Sequence, residues 1–114
     1  MLTHTIKHVY VAQHIIDFRK RLGGLLAEAY FLELNPYEGD CLVFIHSSKQ
    51  KIRVLCGDSY GAWILERFFE GGKLEQQFEF LLNPAFTEIT TAELAMLMDG
   101  NAFIVEKRAK QWRQ

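Results

Sequence analysis

Cysteine and proline are both scarce in this 114-residue sequence, with two residues of each. Cys41 and Cys56 are far from any CxxC spacing and fall inside apolar runs, so they read as buried thiols acting as small hydrophobes, not as a disulfide framework or a zinc site. Pro36 and Pro84 each follow an asparagine, and each marks a break between elements. No window approaches the ~18 uninterrupted apolar residues of a membrane span. The N-terminal MLTHTIKHVY lacks the basic, apolar and small-residue segments of a secretory signal, which makes the cytoplasm the expected compartment. There is no GxxxxGK[ST] phosphate loop and no nucleophile-elbow pattern around Ser59. Glu66 and Glu70 have no evident acid/base partner, and nothing local selects Cys56 with Asp58 and a histidine as a thiol triad. The expectation is a protein that is not an enzyme and uses no metal or other cofactor.

What the sequence does have is an ordinary globular composition, 49% hydrophobic and 24% charged, at a length that suits one domain. Its net charge of −1 conceals a segregation. Residues 1–56 hold seven cations against five acids; residues 57–100 hold Arg67 and Lys73 against eight acids; residues 101–114 hold four cations against Glu106. An acidic middle lies between two basic ends.

The organising stretch is Lys51 to Leu74. Two apolar runs flank Gly57-Asp58-Ser59-Tyr60-Gly61, the pattern of a β-hairpin. Ile52, Val54 and Cys56 alternate with Lys51, Arg53 and Leu55, giving an inward face and a face that carries cations. Upstream, Thr5 to Ala12 alternates and is rich in β-branched and aromatic residues, so it reads as a strand; His4 just before it and His8 on it are ordinary histidines, because four-residue ligand spacing belongs to helices. Phe18, Leu22, Leu25, Leu26, Ala29 and Tyr30 recur at helical spacing, predicting a helix over about 17–33, N-capped by Asp17. Gly23-Gly24 inside it implies a kink or close packing against another backbone. Arg19, Lys20 and Arg21 fall in its first turn, where the macrodipole disfavours cations, and beside free N–H groups they suit a phosphate or carboxylate partner.

Asn35 to Gly39 is a turn by composition, and Cys41 to Ile45, apolar on both faces, predicts a central strand. Lys49, Lys51 and Arg53 gather near the return into the hairpin as a small candidate ridge for phosphates. Leu74, Gln76, Phe78 and Phe80 alternate with charged or polar residues and predict a further strand, ended at Asn83-Pro84. Thr90-Thr91-Ala92-Glu93 is a capping box for a short helix over about 90–99, with Leu94, Leu97 and Met98 inward and Gly100 as the terminating glycine. Residues 101–114 form a basic tail that reads as a last helix, a frayed end, or an arm touching phosphate and stacking Trp112 on a base. Together these elements define a single α+β domain over 1–100: a twisted, mainly antiparallel sheet of about five strands, the 17–33 helix over one face, and the short helix at its side.

Several segments, in order, resemble the TnpB (second open reading frame) accessory proteins of insertion-sequence-sixty-six transposons. They are Val9-Tyr10-Val11-Ala12; Asp17-Phe18-Arg19-Lys20 with Gly24-Leu25; Asn35-Pro36-Tyr37-Glu38-Gly39 with Leu42-Val43-Phe44; Arg53-Val54-Leu55, Asp58, Gly61, Trp63 and Glu70-x-Gly72; and Thr91-Ala92-Glu93-Leu94 with Leu97-Met98-Asp99-Gly100. The resemblance covers residues 9 to 100. It implies a non-enzymatic, auxiliary role in transposition, beside a separate transposase that performs the strand chemistry, through contact with DNA or with that transposase or another element-encoded protein. A structural or regulatory interaction module without nucleic-acid contact is the alternative. Cys56-Gly57, Leu65, Glu66 and Arg67-Phe68 stand where the family carries further aromatics, a tyrosine and a Lys-Arg pair. That removes aromatic and positive surface from the hairpin. The candidate nucleic-acid-binding residues are therefore led by Arg19, Lys20 and Arg21, with Lys49, Lys51 and Arg53 as the second group.

Overall fold

The computed structural model describes residues 6–12, 19–70, 74 and 86–100. Among these residues five strands form one sheet, in the order β4-β3-β2-β1-β5. They are β1 (His8–Ala12), β2 (Asp40–Ile45), β3 (Lys51–Asp58), β4 (Gly61–Phe68) and β5 (Phe86–Ile89), with helices α1 (Leu22–Phe31) and α2 (Thr91–Met98).

The predicted hairpin is present and tighter than its glycine spacing suggests. β3 and β4 pair antiparallel from Asp58↔Gly61 to Lys51↔Phe68 around the two-residue loop Ser59-Tyr60, where the Asp58 carboxylate accepts the Tyr60 N–H at 2.9 Å. β2, apolar on both faces as the sequence implies, is the middle strand and pairs antiparallel with β3. β1 lies parallel to β2, in register Val9↔Cys41 and Val11↔Val43. Parallel neighbours need a crossover, and α1 sits on that connection. The fifth strand departs from expectation: β5 follows Pro84 and pairs antiparallel with β1, Val9 opposite Ile89. Of the strand predicted from Leu74 to Phe80, only Leu74 lies within the described residues, buried in the core.

Strand alternation divides the core into two layers. Val9, Val11, Cys41, Val43, Ile52, Val54, Cys56 and Ile89 face one side, where they pack with Leu74 and with Leu94 and Leu97 of α2. Leu42, Phe44 and Leu55 face the other, under Leu25 and Ala29 of α1. The sequence placed α2 beside the sheet; it covers the face opposite α1, because Leu94 and Leu97 are the buried positions of its amphipathic side. The side of β3 that carries the cations is closed by α1, and Leu55 is fully buried there.

α1 is also shorter than the predicted 17–33 helix. Arg21 occupies its N-cap position with extended backbone, and its side chain makes no cap hydrogen bond. Asp17, the predicted cap, lies outside the described residues. Gly23 and Gly24 therefore sit in the first turn and need no kink. A Cβ on Gly23 would meet nothing within 4 Å, while one on Gly24 would touch the Lys20 side chain at 3.1 Å. The predicted turn at Asn35 to Gly39 is a 3-10 turn (Pro36–Glu38) capped by the Asn35 side chain and closed by Gly39 at φ 103°.

At α2 the sequence signature is met in full. Thr90 Oγ1 accepts the Glu93 N–H at 3.0 Å and Glu93 Oε1 accepts the Thr90 N–H at 2.8 Å, while Gly100 follows the helix at φ 81°. Thr90→Ala removes one half of this reciprocal pair and is expected to cost about 1 kcal/mol, read as a lower urea midpoint at unchanged m. A midpoint equal to that of the parent protein would show that the cap contributes nothing.

Candidate nucleic-acid interface at the carboxyl ends of the parallel strands

The topology brings both predicted groups of cations to one end of the sheet. β1 and β2 run parallel, so their carboxyl ends coincide; β3 begins there and β4 ends there. Since α1 crosses back toward β2, its N-terminus opens on the same end. Arg19, Lys20 and Arg21 are exposed immediately ahead of α1. They precede the helix instead of forming its first turn, which leaves the cations close to its N-terminal N–H groups without placing them inside it.

Arg53 joins the two groups. From β3 it donates through Nη1 to the Lys20 carbonyl at 2.8 Å, and through Nε and Nη2 to Glu66 Oε2 at 3.0 and 2.6 Å. With only 13% of its side chain exposed, Arg53 acts here as a tie between the α1 approach and the β3–β4 hairpin. Lys20 in turn extends to Glu28 of α1, Nζ to Oε2 at 3.0 Å. Lys49 is exposed in the β2–β3 turn at φ 63°, its N–H bonded to the His46 carbonyl at 2.8 Å. That turn is fastened by His46 Nδ1, which accepts the Ser48 N–H at 3.0 Å.

Two residues outside the predicted set share this end. Lys51 stands directly opposite Phe68 on β4, and Phe68 is 57% exposed. On the other face Arg67 lies over the Phe69 ring, 5.7 Å from its centroid. Counting back from the two-residue hairpin loop gives the Lys51–Phe68 register, so the signal was present in the sequence once the loop length is known. What results is an exposed ring beside cations from three separate segments.

The opposite end of the sheet has the other sign. Glu33, Glu38, Asp40 and Asp58 gather near the C-terminus of α1, the 3-10 turn and the hairpin loop, with Lys7 nearby. Asp40 there accepts the Asn35 N–H at 2.8 Å. An open groove of about 1050 Å³ lies beside them, lined by residues that include Leu26, Tyr30, Phe31, Leu34, Pro36 and Tyr37. Tyr30 and Phe31 are 85% and 80% exposed. Glu33, on the groove wall, takes a left-handed backbone at φ 61°, uncommon for a residue with a side chain.

Toward β5, Tyr10 packs edge-on against Phe86 with ring centroids 4.8 Å apart. Burial, then the Glu88 and Asp40 charges, push its phenol up to about 12 from 10.0. The stabilisation from keeping this phenol neutral is complete below pH 10 and is lost as pH rises from 10 through about 12, because the unfolded chain ionises first. Among the described residues no three His, Cys, Asp or Glu side chains converge as a metal site. No helix among them is long and apolar enough to cross a membrane.

A small α+β domain with one parallel crossover, cations collected at the carboxyl ends of its parallel strands and an acidic, aromatic opposite end is the class these features define. The family model described as IS66 Orf2 like protein matches residues 7–108, and the chain belongs to that family, an accessory protein family of insertion-sequence-sixty-six transposons. No curated protein and no solved structure matches it.

Proposed function

We propose that this protein is a non-enzymatic accessory factor of transposition, working in the cytoplasm, that contacts DNA through its basic end. The observation that carries the reading is the convergence of Arg19, Lys20 and Arg21 with Lys49 and Lys51 at one end of the sheet, through the Arg53 link to the Lys20 carbonyl. Phosphate recognition needs several cations held on one surface, and their separation in sequence is removed by the crossover. Exposed Phe68 beside Lys51 adds a ring on which a base can stack.

Fluorescence anisotropy with labelled single-stranded and duplex oligonucleotides tests this. Affinity is expected to fall steeply and log-linearly with salt. Changing Arg19, Lys20 and Arg21 together to alanine should lower the slope by about one for each phosphate no longer neutralised. Phe68→Ala should weaken single-strand binding by about 1–3 kcal/mol while leaving the slope unchanged. Absence of binding at low salt, or binding indifferent to the triple substitution, would overturn the DNA reading.

A second reading follows from the opposite end. The groove beside Tyr30, Phe31 and Tyr37 favours contact with another protein, the element's transposase being the implied partner, with no nucleic acid involved. Under that reading, Tyr30→Ala with Phe31→Ala abolishes association with the transposase, and the triple cation variant leaves it intact.

A further inference from the structure

Cys41 and Cys56 meet across the β2–β3 ladder inside the core. Their sulfurs are 2.9 Å apart, both residues are free thiols, and they are 0% and 1% exposed. The backbone pairing bears on what this contact can become. Leu42 faces Leu55 and Ile45 faces Ile52, and the His46 N–H donates to the Lys51 carbonyl at 3.0 Å, which makes His46/Lys51 a hydrogen-bonded pair. Alternation along an antiparallel ladder then makes Cys41/Cys56, five positions on, a pair of the non-hydrogen-bonded kind, with Cα atoms about 4.5 Å apart. That separation lies inside the range, about 4.4–6.8 Å, that a disulfide spans without backbone movement.

We propose that Cys41 and Cys56 are a redox-active dithiol, closed by peroxide-class oxidants into a reversible cross-strand disulfide that locks β2 to β3. The two-electron step balances with hydrogen peroxide as oxidant. One thiol attacks a peroxide oxygen, the O–O bond breaks, and a sulfenic acid and one water result. The second sulfur then attacks the sulfenic sulfur; the S–S bond forms, the S–O bond breaks, and hydroxide leaves with the thiol proton as a second water. The oxidant must be small, because the pair is enclosed by Val9, Val11, Val43 and Val54 of the same core layer. The shared contact with Cys56 and then burial hold the Cys41 thiol well above its ordinary range, so the attacking thiolate is scarce in the closed sheet. Oxidation therefore proceeds through transient opening of the sheet, and its rate should rise with urea below the unfolding midpoint.

The test uses the full chain. The reduced protein is exposed to hydrogen peroxide in sub-denaturing urea, then denatured in N-ethylmaleimide and weighed intact. The expected product is lighter by two hydrogen atoms, monomeric, and carries no maleimide; dithiothreitol restores two maleimide sites. Its thermal midpoint should rise by roughly 5–15 °C over the reduced form. Cys41→Ala and Cys56→Ala should each yield the sulfinic acid or an intermolecular dimer in place of the internal product. Two maleimide adducts after prolonged oxidation, or conversion of the unaltered chain directly to sulfinic acids, would overturn the proposal, and neither outcome depends on a variant folding.

Discussion

Phe44→Ala is expected to destabilise the fold by about 3–5 kcal/mol, the range for removing a fully buried aromatic ring. Phe44 is 1% exposed on the central strand and lies in the layer beneath α1 with Leu25, Ala29, Leu42 and Leu55. Few groups are available to refill the space. α1 presents only Leu25 and Ala29 as buried positions, and two glycines occupy its first turn. For a domain of this length the change corresponds to a fall in midpoint of roughly 12–20 °C. Against a total stability of about 5–15 kcal/mol, that is a large share of the margin. Trp63, packed against the opposite layer, provides a fluorescence signal for urea titrations that does not come from the altered site. A loss under about 1 kcal/mol would mean that α1 does not close this face.

The second large effect is predicted for a residue without a side chain. A Cβ on Gly57 would come to 2.8 Å from the Gly61 carbonyl oxygen, 3.1 Å from the Pro36 carbonyl oxygen and 3.2 Å from the Ala62 Cα. All three are backbone atoms, so no rotamer change relieves the clash; the 3-10 turn or the hairpin must move. Gly57→Ala should cost about 1–3 kcal/mol, at the upper end of that range, and Gly57→Val more. Gly61, which bounds the same loop, is the control. A Cβ there meets nothing within 4 Å, and Gly61→Ala should stay within about 0.5 kcal/mol of the parent. Equal effects at the two positions would show that the backbone does not close around Gly57 in this way. The contrast bears on function as well, because the Pro36–Gly57 contact fixes the turn that forms one wall of the aromatic groove.

The two glycines illustrate where sequence reading stops. Both punctuate the hairpin, and local chemistry treats them alike; their difference comes from the register that sets Gly57 against the Gly61 carbonyl and Ala62, and from a turn some twenty positions earlier in the chain. Arg53 is a similar case. Alternation places it on a cationic strand face, which suits a phosphate ridge, but α1 covers that face, and the guanidinium is taken up by Glu66 and the Lys20 carbonyl. The strand at Phe86–Ile89 was missed because four residues, FTEI, carry too little alternation to stand out, and their pairing with β1 is about eighty positions distant. Elements with strong local signals were legible: the capping box at Thr90 and Glu93, the 3-10 turn at Pro36, the doubly apolar central strand, and the hairpin.

By itself, the sequence determined the α+β class, the family, the middle strand and the presence of two cationic groups. Those properties reside in short-range patterns, where period, capping chemistry and turn residues act within a few positions. Tertiary structure alone decided that the two groups share an end, that Arg53 is a tie between them, that Phe68 stands beside Lys51, and that the two thiols meet. Each depends on strand order, register and a parallel crossover, which are set by burying both sheet faces at once and so by every element together.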